Sequence, residues 1–315
     1  MLVLIPLIML ISFHLAGSFK LSRLGASINT TKRGLSYLRQ SGNDDAKSVV
    51  TVPSGLIAVY KPQEWSSSDV VGKVRNILRN GAKMEAGKKG KVNIKVGHGG
   101  TLDPLATGVL VLGIGEGTKM LQQYLTGSKS YAATALLGTE TDTLDSTGNV
   151  TSTETWSHLS MSDIDKALED FRGEISQVPP MFSALKRNGK KLYDLARQGI
   201  EVERESRRVT IYELSLGKEP KGLPEFSLDV SCSGGTYIRT LCADIARSVN
   251  SRAHMTSLVR TKQGPFVLSD CLPVEEWTYE ALCMEISDVS IRKDELPLST
   301  DLKPALTLAV ETSNE

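Results

Sequence analysis

From Gly97 to Gly108 the chain reads Gly-His-Gly-Gly-Thr-Leu-Asp-Pro-Leu-Ala-Thr-Gly, and it then runs into the apolar stretch Val109-Leu110-Val111-Leu112-Gly113-Ile114. No other segment restricts the backbone so heavily. The glycines mark points where the main chain turns sharply or approaches another group closely, and Pro104 keeps the preceding Asp103 extended. A loop of this kind, delivered onto a buried strand, holds one carboxylate rigidly at the edge of a sheet. Taken alone, an Asp-Pro pair in a glycine-rich loop is most often a simple turn.

The segments around the loop set the fold class. Leu56-Ile57-Ala58-Val59-Tyr60 reads as a buried strand stopped by Lys61-Pro62, and Ser66 to Asp69 supplies an N-cap for a helix through Val70, Val71, Val74, Ile77 and Leu78. Thr118 to Leu125 reads as a short amphipathic helix, Tyr131 to Leu137 as an alternating strand, and Thr141 to Gly148 as a turn. A helix is expected over roughly Ser162 to Phe171 and a strand over Phe226 to Ser231. A turn at Ser233-Gly234-Gly235 then opens a helix through Ile238, Leu241, Ile245 and Ala246. Hairpin-like strands with segregated helices make an α+β class, with a mixed, mostly antiparallel sheet flanked by helices.

Charge is unevenly spread. A net charge of +1 hides eight Lys/Arg against the single acid Glu85 in residues 73–95, and eleven acids against three bases from Asp270 onward. Such a basic body is compatible with a nucleic-acid face and equally with a solvated surface. Cys232, Cys242, Cys271 and Cys283 show neither metal-ligand nor disulfide-framework spacing, and His14, His98, His158 and His254 are scattered, so no metal site is expected. Gly81 to Lys89 has the wrong length and ending for a phosphate-binding P-loop, and Gly113 to Gly117 lacks dinucleotide-fold spacing, so no nucleotide cofactor is expected.

Residues 1–17 are an apolar run too short for a typical membrane span, and residues 20–42 hold five Lys/Arg, several Ser/Thr and no acid. Together, residues 1–50 read as a bipartite presequence of the secondary-plastid type, with a mitochondrial presequence as the competitor and a nuclear or cytoplasmic protein with an unprocessed tail as the alternative. No stable membrane association is expected after processing. Residues 276–315 read as an acidic C-terminal tail.

Residues 55 to about 269 resemble the TruB family of pseudouridine synthases. Gly97 to Leu110 carries the family signature, followed in order by Gly115-x-Gly117-Thr118-Lys119, Lys129-x-Tyr131, Leu137-Gly138-x-x-Thr141-Asp142-Thr143-x-Asp145-x-x-Gly148, Gln177-x-Pro179-Pro180-x-x-Ser183-Ala184-Leu185-Lys186, Gly235-Thr236-Tyr237-Ile238-Arg239-Thr240-Leu241, and Leu258-x-Arg260-Thr261-x-x-Gly264-x-Phe266. The resemblance implies a catalytic domain over residues 55–275 that isomerises uridine within a tRNA, in the T-loop at position 55. Asp103 would be the catalytic carboxylate, Arg239 its partner, and Tyr131 the ring that stacks on the flipped base. His98, Lys119, Tyr237 and Leu258 would line the substrate site. Residues 177–208, with Lys186, Lys190 and six further bases, would form an RNA-gripping thumb. An isomerisation needs no external electron donor, so the expectation is a monomer acting on the T-arm stem-loop of tRNA without cofactor or metal. The family's bacterial and guide-directed branches carry a PUA domain. The expectation here is none, because only about 45 residues follow Ser269. An RNA-folding chaperone with secondary catalysis and a guide-directed rRNA enzyme are the alternatives. Two positions depart from the family: Tyr60, where Asp or Asn is common, and Glu64, where Gly is common.

Overall fold

The structure is a computed structural model that describes residues 52–86, 92–187, 189–219 and 222–291. The expected presequence and the end of the acidic tail lie outside the described residues. In chain order the strands are β1 (Gly55–Lys61), β2 (Val96–His98), β3 (Thr107–Ile114), β4 (Lys129–Leu137), β5 (Thr139–Thr141), β6 (Val150–Thr153), β7 (Gly173–Gln177), β8 (Lys186–Arg187), β9 (Lys190–Lys191), β10 (Arg207–Leu216), β11 (Glu225–Cys232), β12 (Ala253–Gln263) and β13 (Phe266–Val267). The helices are α1 (Ser67–Glu85), α2 (Leu121–Thr126), α3 (Met161–Ala167), α4 (Leu192–Ala196), α5 (Ile238–Ser248) and α6 (Tyr279–Ile291).

One mixed sheet organises the body, in the order β1-β3-β12-β4-β11-β10-β7, with β2 also on β3 and β13 on β12. Every pairing is antiparallel except β3 with β12, where Arg260 stands opposite Gly108. That parallel contact needs a glycine: Gly108 has φ +101°, and a Cβ there would lie 2.3 Å from the Arg260 carbonyl oxygen. The expected α+β architecture is what the chain forms.

Local signals explain the elements that frame the loop. Ser66 and Asp69 make a reciprocal capping box at the start of α1, and Val70, Val71, Val74, Leu78 and Ala82 form its buried stripe. On β4, Lys129, Tyr131, Ala133, Ala135 and Leu137 are buried while the residues between them are half-open. The expected helix at Thr118 is split, with a 3-10 segment over Gly115–Met120 preceding α2. Gly117 packs so tightly on β1 that a Cβ would lie 1.9 Å from the Gly55 carbonyl oxygen.

Besides a small cluster of Leu56, Ala58, Val109, Val111, Tyr124 and Phe266, two larger apolar cores form. One gathers Leu102, Ala106, Tyr131, Leu228, Ile238, Leu241, Met255 and Leu258 beneath α3 and α5. The other gathers Ile57, Val74, Leu78, Leu110 and Leu112 with Trp277, Leu282 and Ile286 beneath α1 and α6. The boundary expected at residue 275 is therefore too early. Trp277, Leu282 and Ile286 are buried, each large side chain contributing about 1.5–3 kcal/mol, so the first part of the supposed tail is a packed helix.

Candidate active site

The loop from Gly99 to Ala106 buries Leu102 and Ala106 in the first of the larger cores, and it is tied down at nearly every residue. Gly99 N–H donates to the Val111 carbonyl at 2.8 Å. Gln263 Nε2 donates to the Gly99 carbonyl at 2.7 Å, while its Oε1 accepts from Val111 N–H at 3.1 Å. Arg260 is 1% exposed, and its guanidinium donates to the carbonyls of Val109 (2.7 Å), Gly100 (3.2 Å) and Thr101 (3.5 Å). Leu102 N–H donates to Ser67 Oγ at 2.8 Å, which joins the loop to the first turn of α1. Beyond the aspartate, the Pro104 carbonyl accepts from Glu64 N–H at 2.8 Å and from buried Lys61 Nζ at 3.3 Å. With its carbonyls and amides satisfied in this way, the loop cannot shift without stranding buried polar groups.

Asp103 projects from this frame. Its Oδ2 accepts from Arg239 Nε at 2.9 Å, and 34% of the Asp103 side chain stays open against 4% of Arg239. The other guanidinium nitrogens are spoken for as well. Nη1 donates to the Thr143 carbonyl at 2.6 Å and stands 3.6 Å from Asp145 Oδ2, and Nη2 donates to the Phe182 carbonyl at 2.7 Å. Asp145 is itself buried, its Oδ1 accepting from Thr143 Oγ1 (2.8 Å), Thr147 N–H (3.0 Å) and Thr147 Oγ1 (2.6 Å). One guanidinium thus fixes the loop aspartate, the 141–148 turn and the root of the thumb.

Burial raises the Asp103 carboxyl above its ordinary range, Arg239 works against that shift, and Asp145 adds to it. Besides Arg239, three further buried cations surround the loop: Arg260, Lys61 and Lys129, both lysines pulled down to about 8 chiefly by burial. Lys129 Nζ donates to the carbonyls of Leu125 and Gly127, each at 2.7 Å.

Most of the residues expected in the site are brought together. Tyr131 is buried beside Arg260, and burial raises its hydroxyl pKa. Leu258 packs in the same core as Tyr131 and Leu102. His98 ends β2, its Nδ1 accepting from Gly100 N–H at 3.3 Å, and burial and Arg260 hold it below the usual imidazole range. Tyr237 precedes α5, with its backbone clamped by both ends of the Gln177 amide, at 2.8 and 3.0 Å. Lys119 stands apart: it lies on the 3-10 segment after β3, exposed and ion-paired to Glu116, and no contact links it to Asp103. Lys186 and Lys190 lie on the exposed β8–β9 hairpin of the thumb. Sequence reasoning left Asp145, Arg260 and Lys61 without roles, although all three stand inside segments it singled out.

Residues 86–238 match the model of the TruB family pseudouridylate synthase N-terminal domain. The chain is 45% identical over 243 residues to human pseudouridylate synthase TRUB1, covering 75% of this chain and 69% of that one. It is 43% identical over 263 residues to tRNA pseudouridine synthase B of Haemophilus influenzae (strain PittEE), covering 82% and 79%. Among solved structures, one of a Cbf5-Nop10-Gar1 complex superposes with a TM-score of 0.52 at 28% identity, covering 71% of this chain and 54% of that one. Family model, relatives and fold agree on one assignment: the chain belongs to the TruB family of pseudouridine synthases.

Proposed function

We propose that this chain is a tRNA pseudouridine synthase acting on the T-loop uridine at position 55, with Asp103 as nucleophile. The observation that carries the reading is the Asp103–Arg239 pair, an accessible carboxylate on an immobilised loop whose partner is locked by three further contacts. A nucleophile gains most when its orientation is settled before the substrate arrives. The target uridine is flipped out of its stack, at a cost of a few kcal/mol, against Tyr131 and Leu258. The Asp103 carboxylate bonds to the ribose C1′ as the C1′–N1 bond breaks, and uracil leaves with the N1 electron pair. The uracil turns, C5 bonds to C1′ as the carboxylate is displaced, the C5 proton leaves to solvent, and N1 takes up a proton. Arg239 keeps Asp103 ionised and aimed. The name of the Haemophilus influenzae relative at 43% identity, tRNA pseudouridine synthase B, supports tRNA as the substrate class.

The test is the full chain incubated with a synthetic T-arm stem-loop carrying 5-tritiated uridine, in buffer containing EDTA. Tritium is released by the wild type and not by Asp103→Asn, which binds the RNA equally well. If release waits for a guide RNA or cell extract, the guide-directed reading replaces this one. Composition of residues 1–42 supports import into an organelle, which imaging of a fluorescent fusion tests.

A further inference from the structure

We infer that α1 carries a second RNA-binding surface, a basic ridge that holds the phosphates of the substrate's stem outside the modified loop. The inference rests on the function proposed above and adds a specificity element to it. Arg75, Arg79 and Lys83 follow one another at i, i+4 and i+8, so they form one stripe along the helix, with successive residues about 6 Å apart. The stripe lies on the flank beside β2, because Arg75 Nη2 donates to the Val96 carbonyl at 3.0 Å. Exposed Lys95 is the neighbour of Val96 and extends the ridge onto the strand that ends at His98.

Three observations separate this stripe from an ordinary solvated helix face. First, none of the three side chains ion-pairs with another described residue, whereas Arg204 and Arg208 of the thumb region do. Second, the arginines are already ordered. Arg75 is held by a backbone carbonyl and Arg79 by Asn76 Oδ1 at 2.7 Å, while Arg79 Nε is buried without a partner. Side chains immobilised before binding lose little entropy when they meet a phosphate. Third, the ridge has a fixed distance from the chemistry. Ser67 in the first turn of α1 is hydrogen-bonded to Leu102, next to Asp103. At 1.5 Å per residue, Arg75 then lies about 12 Å and Lys83 about 24 Å along the helix from that anchor. A rigid row of cations leading away from the catalytic loop matches a rigid row of phosphates leading away from the flipped base, which a stem provides and a single-stranded loop does not.

The experiment measures binding and tritium release for a short-stemmed hairpin, a long-stemmed hairpin and a whole tRNA. It compares the wild type with the triple variant Arg75→Gln, Arg79→Gln, Lys83→Gln and with the double variant Arg79→Gln, Lys83→Gln, which leaves the Arg75–Val96 bond intact. Lys73→Gln, on the other flank of α1, is the control. The expected result is a penalty that grows with the length of RNA. The short hairpin is bound and turned over as by the wild type. The triple variant weakens whole tRNA on the order of tenfold and lowers the magnitude of its salt slope by roughly 2, with kcat unchanged. An unchanged affinity for whole tRNA, as expected if the ridge served an acidic protein partner, overturns the inference. So does an equal penalty on all three RNAs. Wild-type tritium release on the short hairpin reports separately on the proposed activity, so failure of the ridge and failure of the reaction are told apart.

Discussion

Asp103 and Asp145 share one guanidinium, Asp103 at 2.9 Å from Nε and Asp145 at 3.6 Å from Nη1 of Arg239. Asp145 therefore opposes the ionisation of Asp103 while Arg239 supports it, and Asp103 comes out raised because burial dominates. The reaction needs ionised Asp103, so kcat/KM falls as pH drops through that raised value, and the acid limb lies above the ordinary aspartate range. Asp145→Asn removes a charge that raises the Asp103 pKa and moves the limb to lower pH. Arg239→Gln removes the charge that lowers it and moves the limb to higher pH. Both variants lose orientation and lower kcat, on the order of a hundredfold for Arg239→Gln. An acid limb unmoved in both variants would show that the three groups do not act on one another.

Glu64 gives a stability prediction. It is exposed, has φ +68°, and reaches the Pro104 carbonyl through its N–H, beside the Lys61 Nζ bond to the same carbonyl, so Glu64 itself joins the catalytic loop through its backbone and not its side chain. A left-handed conformation costs a residue with a Cβ roughly 1–2 kcal/mol, while glycine gives back about 0.5–1 kcal/mol through its freer unfolded chain. Glu64→Gly should therefore raise Tm by about 1–4 °C and leave kcat/KM unchanged. A fall in Tm measured by differential scanning calorimetry would assign the turn's stability to the Glu64 side chain instead.

How far the site was legible depends on whether its signal is local. The Ser66 cap and the alternation of β4 are written in neighbouring residues, and each forms as read. β12 is different. Register shifts between Met255 and Ser257 and between Arg260 and Lys262 break the two-residue period, and buried Arg260 interrupts the apolar face. A central strand was thus visible only as a motif. Asp145 meets Arg239 through space, across nearly a hundred residues, and no spacing rule records that pairing. The helix α6 was hidden by counting charge over 270–315 as a block. Its own Leu282 and Ile286, four apart, carry the helical signal.

Arg260 should be the residue whose loss costs the fold most around the site. Its guanidinium serves the carbonyls of Gly100, Thr101 and Val109 from a fully buried position. Arg260→Met strands those acceptors, each worth about 1–3 kcal/mol when left unmade. A total loss of about 3 kcal/mol or more lowers Tm by roughly 6–12 °C for a body of this size. Arg260→Lys keeps a charge but not the fork, and should fall between the two while losing kcat as the loop loosens. An unchanged Tm in the Met variant would mean that the loop is held by its other bonds.

The thumb should behave differently from the α1 ridge. Lys190 is exposed on the β8–β9 hairpin, and Lys191 Nζ donates to Tyr193 Oη at 2.8 Å while lying 5.1 Å from its ring centroid, with the Arg197 guanidinium 5.4 Å from the same centroid. The root of the thumb is tied to the site by Arg239 Nη2, which donates to the Phe182 carbonyl at 2.7 Å, and the charge of Lys191 helps to lower the His98 pKa. Neutralising Lys190 and Lys191 to Gln removes phosphate contacts close to the modified loop, which every substrate contains. The affinity loss should therefore be the same for a short hairpin and a whole tRNA, and the same for all stem sequences. KM rises, kcat holds, and the magnitude of the salt slope falls by about 1–2. Affinities that dropped in parallel at low and high salt would show that these lysines contact bases, because only phosphate contacts release counterions in proportion to charge.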